Sequence, residues 1–180
     1  MTFGEVEPFW VSVFAVDPGG DSGWAWLLYE RRLLQSDGAV GAVRLGMDIS
    51  DPWCLFGQVD CSDERHGAER LAHFVRRARE RSERIAATDQ LRCCLVCEAF
   101  ILTERTKRAS TLSPVRLTAR LDAILGDEVE WFEQTAADAK GVCTDDRMKQ
   151  WGLWQPGQPH ATDALRHLVL WLRKELNNEH

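Results

Sequence analysis

Four side chains that could do chemistry stand where core elements of the chain are expected to begin or end. Asp17 and Glu98 each close an apolar run that is typical of a buried strand. His160 and Asp163 open the last helical pattern and, being three residues apart, lie on one side of that helix. A carboxylate at the end of a core strand is costly to bury alone, so it usually has a cation or hydrogen-bond donors beside it. These four residues form the candidate catalytic centre.

An oxygen-rich cluster of this kind favours a hard divalent cation. Carboxylates brought together raise each other's pKa, and a cation removes that penalty. Oxygen ligands favour Mg²⁺ or Mn²⁺, one imidazole shifts the preference toward Mn²⁺, and zinc would need softer ligands. Two such ions can activate a water and stabilise the leaving oxygen in phosphodiester cleavage. The sequence therefore predicts two Mg²⁺ or Mn²⁺ ions held by Asp17, Glu98, His160 and Asp163, and no small-molecule cofactor.

The turn that follows Asp17, residues 18–23, is rich in glycine and leaves two interpretations open. Its glycines could give clearance to a ligand backbone, with Asp17 anchoring an active site. Alternatively, Asp17 could bond its own backbone in an Asx-type turn. From this stretch alone the two interpretations are evenly balanced. Taken together with the other acidic residues, the turn is interpreted as clearance for a DNA backbone.

Hydrophobic periodicity predicts the order β-β-β-α-β-α-β-α, an α/β fold with a five-stranded mixed sheet flanked by helices. A right-handed crossover would place the fourth strand beside the first and parallel to it, which brings Asp17 and Glu98 to one edge of the sheet. A turn is expected at residues 36–38, and residues 51–61 are expected to be irregular. The strands are expected at residues 10–16, 24–29, 40–49, 91–97 and 128–132, and the helices begin near Ser62, Ser113, Thr135, Asp146 and His160.

Composition is that of an ordinary globular chain, with 180 residues, 44% hydrophobic residues and a net charge of −6. We expect one domain over residues 1–180. No apolar run is long enough for a membrane span and no signal peptide is visible, so a cytoplasmic protein is expected. The six cysteines are then reduced. In a strand Cys94 and Cys97 point to opposite faces, which favours core thiols over a zinc site.

Two clusters of basic residues are candidate DNA contacts. A polar loop after Glu98 carries Arg105, Lys107 and Arg108, and is either a basic patch or an ordinary exposed loop. The arginine-rich face of the helix that begins near Ser62 is either a phosphate-binding ridge or a solvated face, and its interspersed glutamates favour the solvated face. The negative net charge argues weakly against a nucleic-acid partner.

These elements and motifs resemble RuvC-type Holliday-junction resolvases of the ribonuclease-H-like superfamily, and most of all the versions encoded by phages of GC-rich bacteria. The resemblance implies the ribonuclease-H-like fold. The residues that carry it are Val16–Gly20, Gly23–Ala25, Val96–Glu98 and His160–Ala164, with further similarity at Ser113–Val115, Gln134–Thr135, Ala137–Lys140, Thr144–Lys149 and Trp151–Trp154.

The resemblance implies a homodimeric, Mg²⁺-dependent endonuclease that nicks paired strands of a four-way DNA junction, in the cytoplasm of a bacterial host if it is phage-encoded. Asp17 would bridge the metals, Glu98 and Asp163 would complete their ligands, and His160 would act as ligand or proton-transfer group. Lys140 would meet phosphate or stabilise the transition state. The remaining DNA contacts would come from a short basic helix with Arg147 and Lys149, and from Phe100, which lies near the family's wedge aromatic but one residue closer to the acid.

Other functions stay open on the sequence alone. Phe100 could simply be a core residue that continues its strand. The chain could be a ribonuclease-H-like nuclease acting on other branched DNA or in packaging, or a non-catalytic DNA-binding or assembly module. An actin-like ATPase also opens with a glycine-rich turn, but such proteins need two domains and a second phosphate loop, for which 180 residues are too few.

Overall fold

The computed structural model describes residues 10–48, 50, 52–87, 90–100 and 113–177. The strands in this part of the chain are β1 (Trp10–Asp17), β2 (Asp21–Glu30), β3 (Cys54–Asp60), β4 (Leu91–Ala99) and β5 (Glu130–Thr135). The α-helices there are α1 (Arg31–Asp48), α2 (Glu64–Ala86), α3 (Ser113–Leu125), α4 (Ala136–Val142), α5 (Asp145–Gln150) and α6 (Pro159–Asn177).

The strands form one mixed sheet in the order β3-β2-β1-β4-β5. β1 pairs antiparallel with β2, which pairs antiparallel with β3. On its other side β1 pairs parallel with β4, and β4 pairs parallel with β5. The five-stranded mixed sheet and the parallel placement of β4 beside β1 are therefore confirmed.

The predicted third strand at residues 40–49 is wrong. Residues 40–48 belong to α1, which bends at Gly38 (φ 69°), within the expected turn. The buried residues Ala39, Ala42, Val43 and Gly46 follow helical spacing, whereas Leu45, which a strand would have buried with Val43, is 41% exposed. The alternation of apolar and polar residues in this segment therefore does not reflect a strand, because the segment is helical.

The third strand is instead β3, inside the segment that was expected to be irregular. β3 lies at one edge of the sheet and is only partly buried, so its side chains do not show a clear alternation. Gly57 lies in the middle of β3, where a Cβ would lie 3.2 Å from the ring of Trp24. The order of elements thus gains a helix between β2 and β3, while the number of strands stays at five.

Each face of the sheet has its own hydrophobic core. One core contains residues of α1 and α6, and the other contains residues of α2 and α3. Cys94 belongs to the first and Cys97 to the second, as strand alternation predicts. Burial raises the pKa of the Cys97 thiol to about 12, so this thiol stays protonated at neutral pH.

The arginine face of α2 is a solvated, ion-paired surface. Arg76 pairs with Glu128, Arg77 with Glu80 and Arg79 with Glu83, and these side chains are all more than a third exposed. α2 is capped by Asp63, one residue later than expected, whose carboxylate accepts hydrogen bonds from the backbone of the first turn. No helix in the described part of the chain is both long and apolar enough to cross a membrane.

The N-terminus of α6 is seated on the sheet at Gly23. A Cβ on Gly23 would lie 1.8 Å from the carbonyl oxygen of His160. From β3, the Gln58 side-chain oxygen accepts hydrogen bonds from the backbone N–H groups of His160 (3.0 Å) and Ala161 (3.4 Å), and so caps the helix. At Gly23 the missing side chain makes room for the protein's own helix, so its interpretation as clearance for a DNA backbone is wrong.

We expect Gly23→Ala to destabilise the protein by about 3 kcal/mol, the upper end for overpacking, because the obstacle is backbone that cannot change rotamer. Gly20→Ala is the matched control: among the described residues a Cβ there has no neighbour within 4 Å, and its φ lies outside the left-handed region. Urea unfolding of both variants measures the difference. Equal stabilities of the two variants would contradict the close packing of α6 at Gly23.

Candidate active site

One row of residues crosses the whole sheet under α6. Gln58 on β3 pairs with Gly23 on β2, and Gly23 pairs with Asp17 on β1. The parallel register of β1 with β4 makes Glu98 the neighbour of Asp17, and Glu98 pairs with Gln134 on β5. Strand alternation turns this row toward the face that α6 covers. The topology therefore brings the two strand-ending acids together, as the sequence predicts.

α6 supplies an imidazole to each of these acids. Nδ1 of His160 lies 2.8 Å from Oδ2 of Asp17, and Nε2 of His167 lies 3.0 Å from Oε2 of Glu98. The two histidines are seven residues apart, which is two helical turns, so both point to the same side of α6. Asp163 lies between the two histidines on this side of α6, three residues after His160 and four before His167. The helix that was expected to carry two site residues thus carries three.

Asp17 is buried, and burial raises its pKa to about 6. The negative charges of Glu98 and Asp163 raise this pKa further, whereas the hydrogen bond and charge of His160 lower it. Glu98 and Asp163 therefore both lie within electrostatic range of Asp17. The Asp17 carboxylate thus bonds to the His160 side chain. The turn after Asp17 is held by Ser22, whose hydroxyl accepts a hydrogen bond from the N–H of Gly19 and donates one to its carbonyl.

Asp163 is held by two cations. Its Oδ1 accepts from Arg166 at 2.6 Å, and its Oδ2 lies 3.1 Å from Nζ of Lys140 on α4. Arg166 is buried and also pairs with Asp145, at the start of α5. Lys140 is 53% exposed, so one end of this ion pair faces solvent. The structure thus places the predicted Lys140 directly at the acidic edge.

The other predicted DNA contacts fall into three groups. Arg147 and Lys149 are exposed on α5, where Arg147 donates to the carbonyl of Val142 and Lys149 lies 5.0 Å from the ring centre of Trp154. Phe100 does not continue β4, which ends at Ala99. It is half-buried and lines a cavity of about 450 Å³ between the ends of β4 and β5 and α3. Arg105, Lys107 and Arg108 lie outside the described residues.

Sequence analysis missed four residues that contact the site. His167, Arg166, Gln134 and Gln58 each bond to one of the predicted residues or to a side chain that does. The spacing of His167, seven residues after His160, was a usable signal because it repeats one helix face. For the two glutamines no such signal exists, since their roles depend on strand register.

The donor atoms at this edge suit a hard divalent cation. Hydrogen bonds from α6 use only one oxygen of Asp17 and one of Glu98, and no described residue donates to the second oxygen of either. In the described part of the chain no three side chains of His, Cys, Asp or Glu already stand at metal-binding distances. No metal-binding cluster is therefore preformed among the described residues. The donor set, three carboxylates and one imidazole, fits Mg²⁺ or Mn²⁺ by its chemistry.

Comparisons with known proteins bear on the fold. No protein-family model matches the chain, and no curated protein matches it. The structure is similar to that of T. thermophilus RuvC in complex with a Holliday junction substrate, with a TM-score of 0.50 and 11% sequence identity over 92% of this chain and 96% of that chain. At this identity the likeness concerns architecture, and it shows that the chain has the RuvC-like, ribonuclease-H-like fold.

The raised pKa of Asp17 predicts that the metal-free protein loses stability as the pH rises. Between its ordinary pKa of 3.8 and its folded value of about 6, the native state keeps a proton that the unfolded state has released. The loss should be fully developed above the folded pKa, and about two pKa units correspond to about 3 kcal/mol. Asp17→Asn removes this effect, and the hydrogen bond to His160 that it weakens offsets part of the gain.

Urea unfolding in EDTA at pH 4 and at pH 7.5 tests this prediction. The variant should gain stability relative to the wild type as the pH rises between these values. A difference between the two proteins that does not change with pH would contradict the raised pKa.

Proposed function

We propose that this protein is a Mg²⁺- or Mn²⁺-dependent endonuclease that cleaves branched DNA, with the four-way junction as its preferred substrate. The observation that carries the proposal is the convergence of Asp17, Glu98 and Asp163 at one sheet edge, where the latter two raise the pKa of the first. The fold shared with RuvC, which has been solved in complex with a Holliday junction substrate, supports the choice of substrate.

In this proposal Asp17, Glu98, Asp163 and His160 would hold two metal ions. When bound, the ions would supply the positive charge that acidifies a water and stabilises the leaving oxygen. The chain contributes the orientation of the acids: α6 fixes Asp17 and Glu98 through one imidazole each. Lys140 and Arg166 hold Asp163 at the same edge.

His160 is also suited to move a proton. Its Nδ1 is engaged by Asp17, and its side chain is 42% exposed, which leaves Nε2 toward solvent. At that nitrogen it can take the proton from the attacking water, while Asp17 stabilises the resulting imidazolium. Cleavage of the P–O3′ bond then leaves a 5′-phosphate on one fragment and a 3′-hydroxyl on the other. The two roles proposed for His160, ligand and proton acceptor, use the same nitrogen and are alternatives.

We propose that three exposed cations contact DNA, although the net charge of the chain is −6 and the same helices also expose Asp138, Asp145 and Asp146. Lys140, Arg147 and Lys149 are exposed on the consecutive helices α4 and α5, and Lys140 touches the acidic edge. Lysine and arginine at such positions bind phosphates and release counterions. The DNA backbone would thus approach the carboxylates along α4 and α5, and binding should weaken as salt increases.

Paired nicks across a junction need two active sites, since each site cuts one strand. The proposal therefore includes a homodimer with one site in each subunit. Symmetric cleavage of opposite strands would be its signature, whereas a monomeric nuclease would leave single, uncorrelated nicks.

The direct test is digestion of a substrate panel with Mg²⁺ or Mn²⁺: four-way junction, flap, fork, duplex and single strand. We expect symmetric nicks in the junction and a loss of at least about 10³-fold with Asp17→Asn, because the substitution removes the charge with which this side chain would hold the metal ions. Asp21→Asn is the matched control, since it removes the same charge from an exposed position in the same turn.

Three results would decide otherwise. An intact panel with both metals would exclude the nuclease. Preferred cutting of flaps or forks would replace the junction as substrate while leaving the chemistry intact. Equal losses with Asp17→Asn and Asp21→Asn would mean that overall charge, rather than the proposed centre, controls activity.

A further inference from the structure

We propose that His167, oriented by Gln134, is a positioning residue that sets the carboxylate of Glu98 for metal binding. This inference rests on the proposed function, because it assigns a role within the same site. Neither residue belongs to the predicted ligand set. His167 contacts the site through Glu98, and the side chain of Gln134 contacts His167.

The three residues form a buried chain of hydrogen bonds. The imidazole of His167 is 1% exposed, with Nε2 at 3.0 Å from Oε2 of Glu98 and Nδ1 at 3.2 Å from the amide group of Gln134. Gln134 is itself 4% exposed and pairs with Glu98 in the register of β4 with β5. Both ring nitrogens are thus used, which excludes His167 as a metal ligand in this arrangement.

The partners of Gln134 determine its amide orientation. In the orientation that satisfies all partners, the amide nitrogen donates to Nδ1 of His167 (3.2 Å) and to the carbonyl of His167 (3.1 Å). The amide oxygen then accepts from the backbone N–H of Trp171 (3.2 Å). In the opposite orientation the amide oxygen of Gln134 would face only acceptors and its nitrogen would face only donors. We therefore assign Nδ1 of His167 as an acceptor and Nε2 as the N–H that donates to Glu98.

This assignment has a consequence for Glu98. A single directed N–H fixes Oε2, so Oε1 is left without a hydrogen bond from the described residues and can bind a cation. A free glutamate has three rotatable bonds, and without the imidazole its carboxylate would sample other orientations. Groups that hold a metal ligand in this way typically change metal affinity or activity about 10–100-fold when they are removed.

Titration calorimetry with Mn²⁺ alone, without DNA, tests the role on the full chain. We expect His167→Phe to weaken Mn²⁺ binding about 10–100-fold. His167→Gln should restore most of the affinity, because its side-chain amide can place an N–H near the position of Nε2. Gln134→Leu should fall between the wild type and His167→Phe. In junction cleavage the half-saturating Mg²⁺ concentration should rise for His167→Phe, with KM for DNA unchanged.

The outcomes separate the two proposals. If the wild type binds no more Mn²⁺ than Asp17→Asn does, the proposed metal site fails and the inference falls with it. If the wild type binds Mn²⁺ and folded His167→Phe binds it equally well, only the inference is overturned. If His167→Gln and His167→Phe lose the same affinity, His167 fills space and does not position Glu98.

A second measurement needs no variant. The ¹⁵N shifts of the imidazoles in the wild-type protein report which ring nitrogen carries hydrogen. We expect His167 to show Nε2–H with a lone pair on Nδ1. The opposite tautomer or a doubly protonated ring would overturn the inference, because Gln134 could then not orient the ring as we assign.

Discussion

The candidate site depends on how closely the first turn of α6 approaches the sheet. The approach is possible only because Gly23 has no side chain, and it is fixed by the Gln58 oxygen that caps the helix from β3. If α6 were displaced outward by even one methyl group, His160 would move away from Asp17. The outer strands β3 and β2 therefore set the position of a helix whose chemistry is directed at β1 and β4. This explains why a row of residues across the sheet, rather than a single loop, builds the site.

The same approach creates an electrostatic cost that the structure meets locally. Burying Asp17 near two other carboxylates disfavours its ionised form, as its raised pKa records. Each acid is given a nitrogen donor: His160 for Asp17, His167 for Glu98, and Lys140 with Arg166 for Asp163. The donors hold the acids without cancelling the unfavourable charge on Asp17, so a bound cation would lower the free energy of the native state further.

The sequence was sufficient for the features that repeat locally. Two strand-ending acids and the His-x-x-Asp spacing on the last helix could be recognised because each depends on one element. The third strand was misplaced because the edge strand β3 lacks a clear alternation, whereas residues 43–48 in α1 alternate apolar and polar side chains although they form a helix. The role of Gly23 was misassigned because its neighbour, the backbone of His160, is 137 positions away in the chain. Gln58 and Gln134 could not be found at all, since only strand register shows that they lie in the row with Asp17.

Strand register also connects the acidic edge with the exposed cations on α4 and α5. β5 ends at Thr135, which caps α4, so Gln134 under α6 and Lys140 on α4 are placed by the same strand end. Arg166 pairs with Asp163 on α6 and with Asp145 at the start of α5. Lys140 on α4 also pairs with Asp163. A movement of α4 or α5 would therefore change the ion pairs that hold Asp163. Because these two helices carry the exposed cations, a phosphate backbone bound there, as proposed, would contact the same helices that position Asp163.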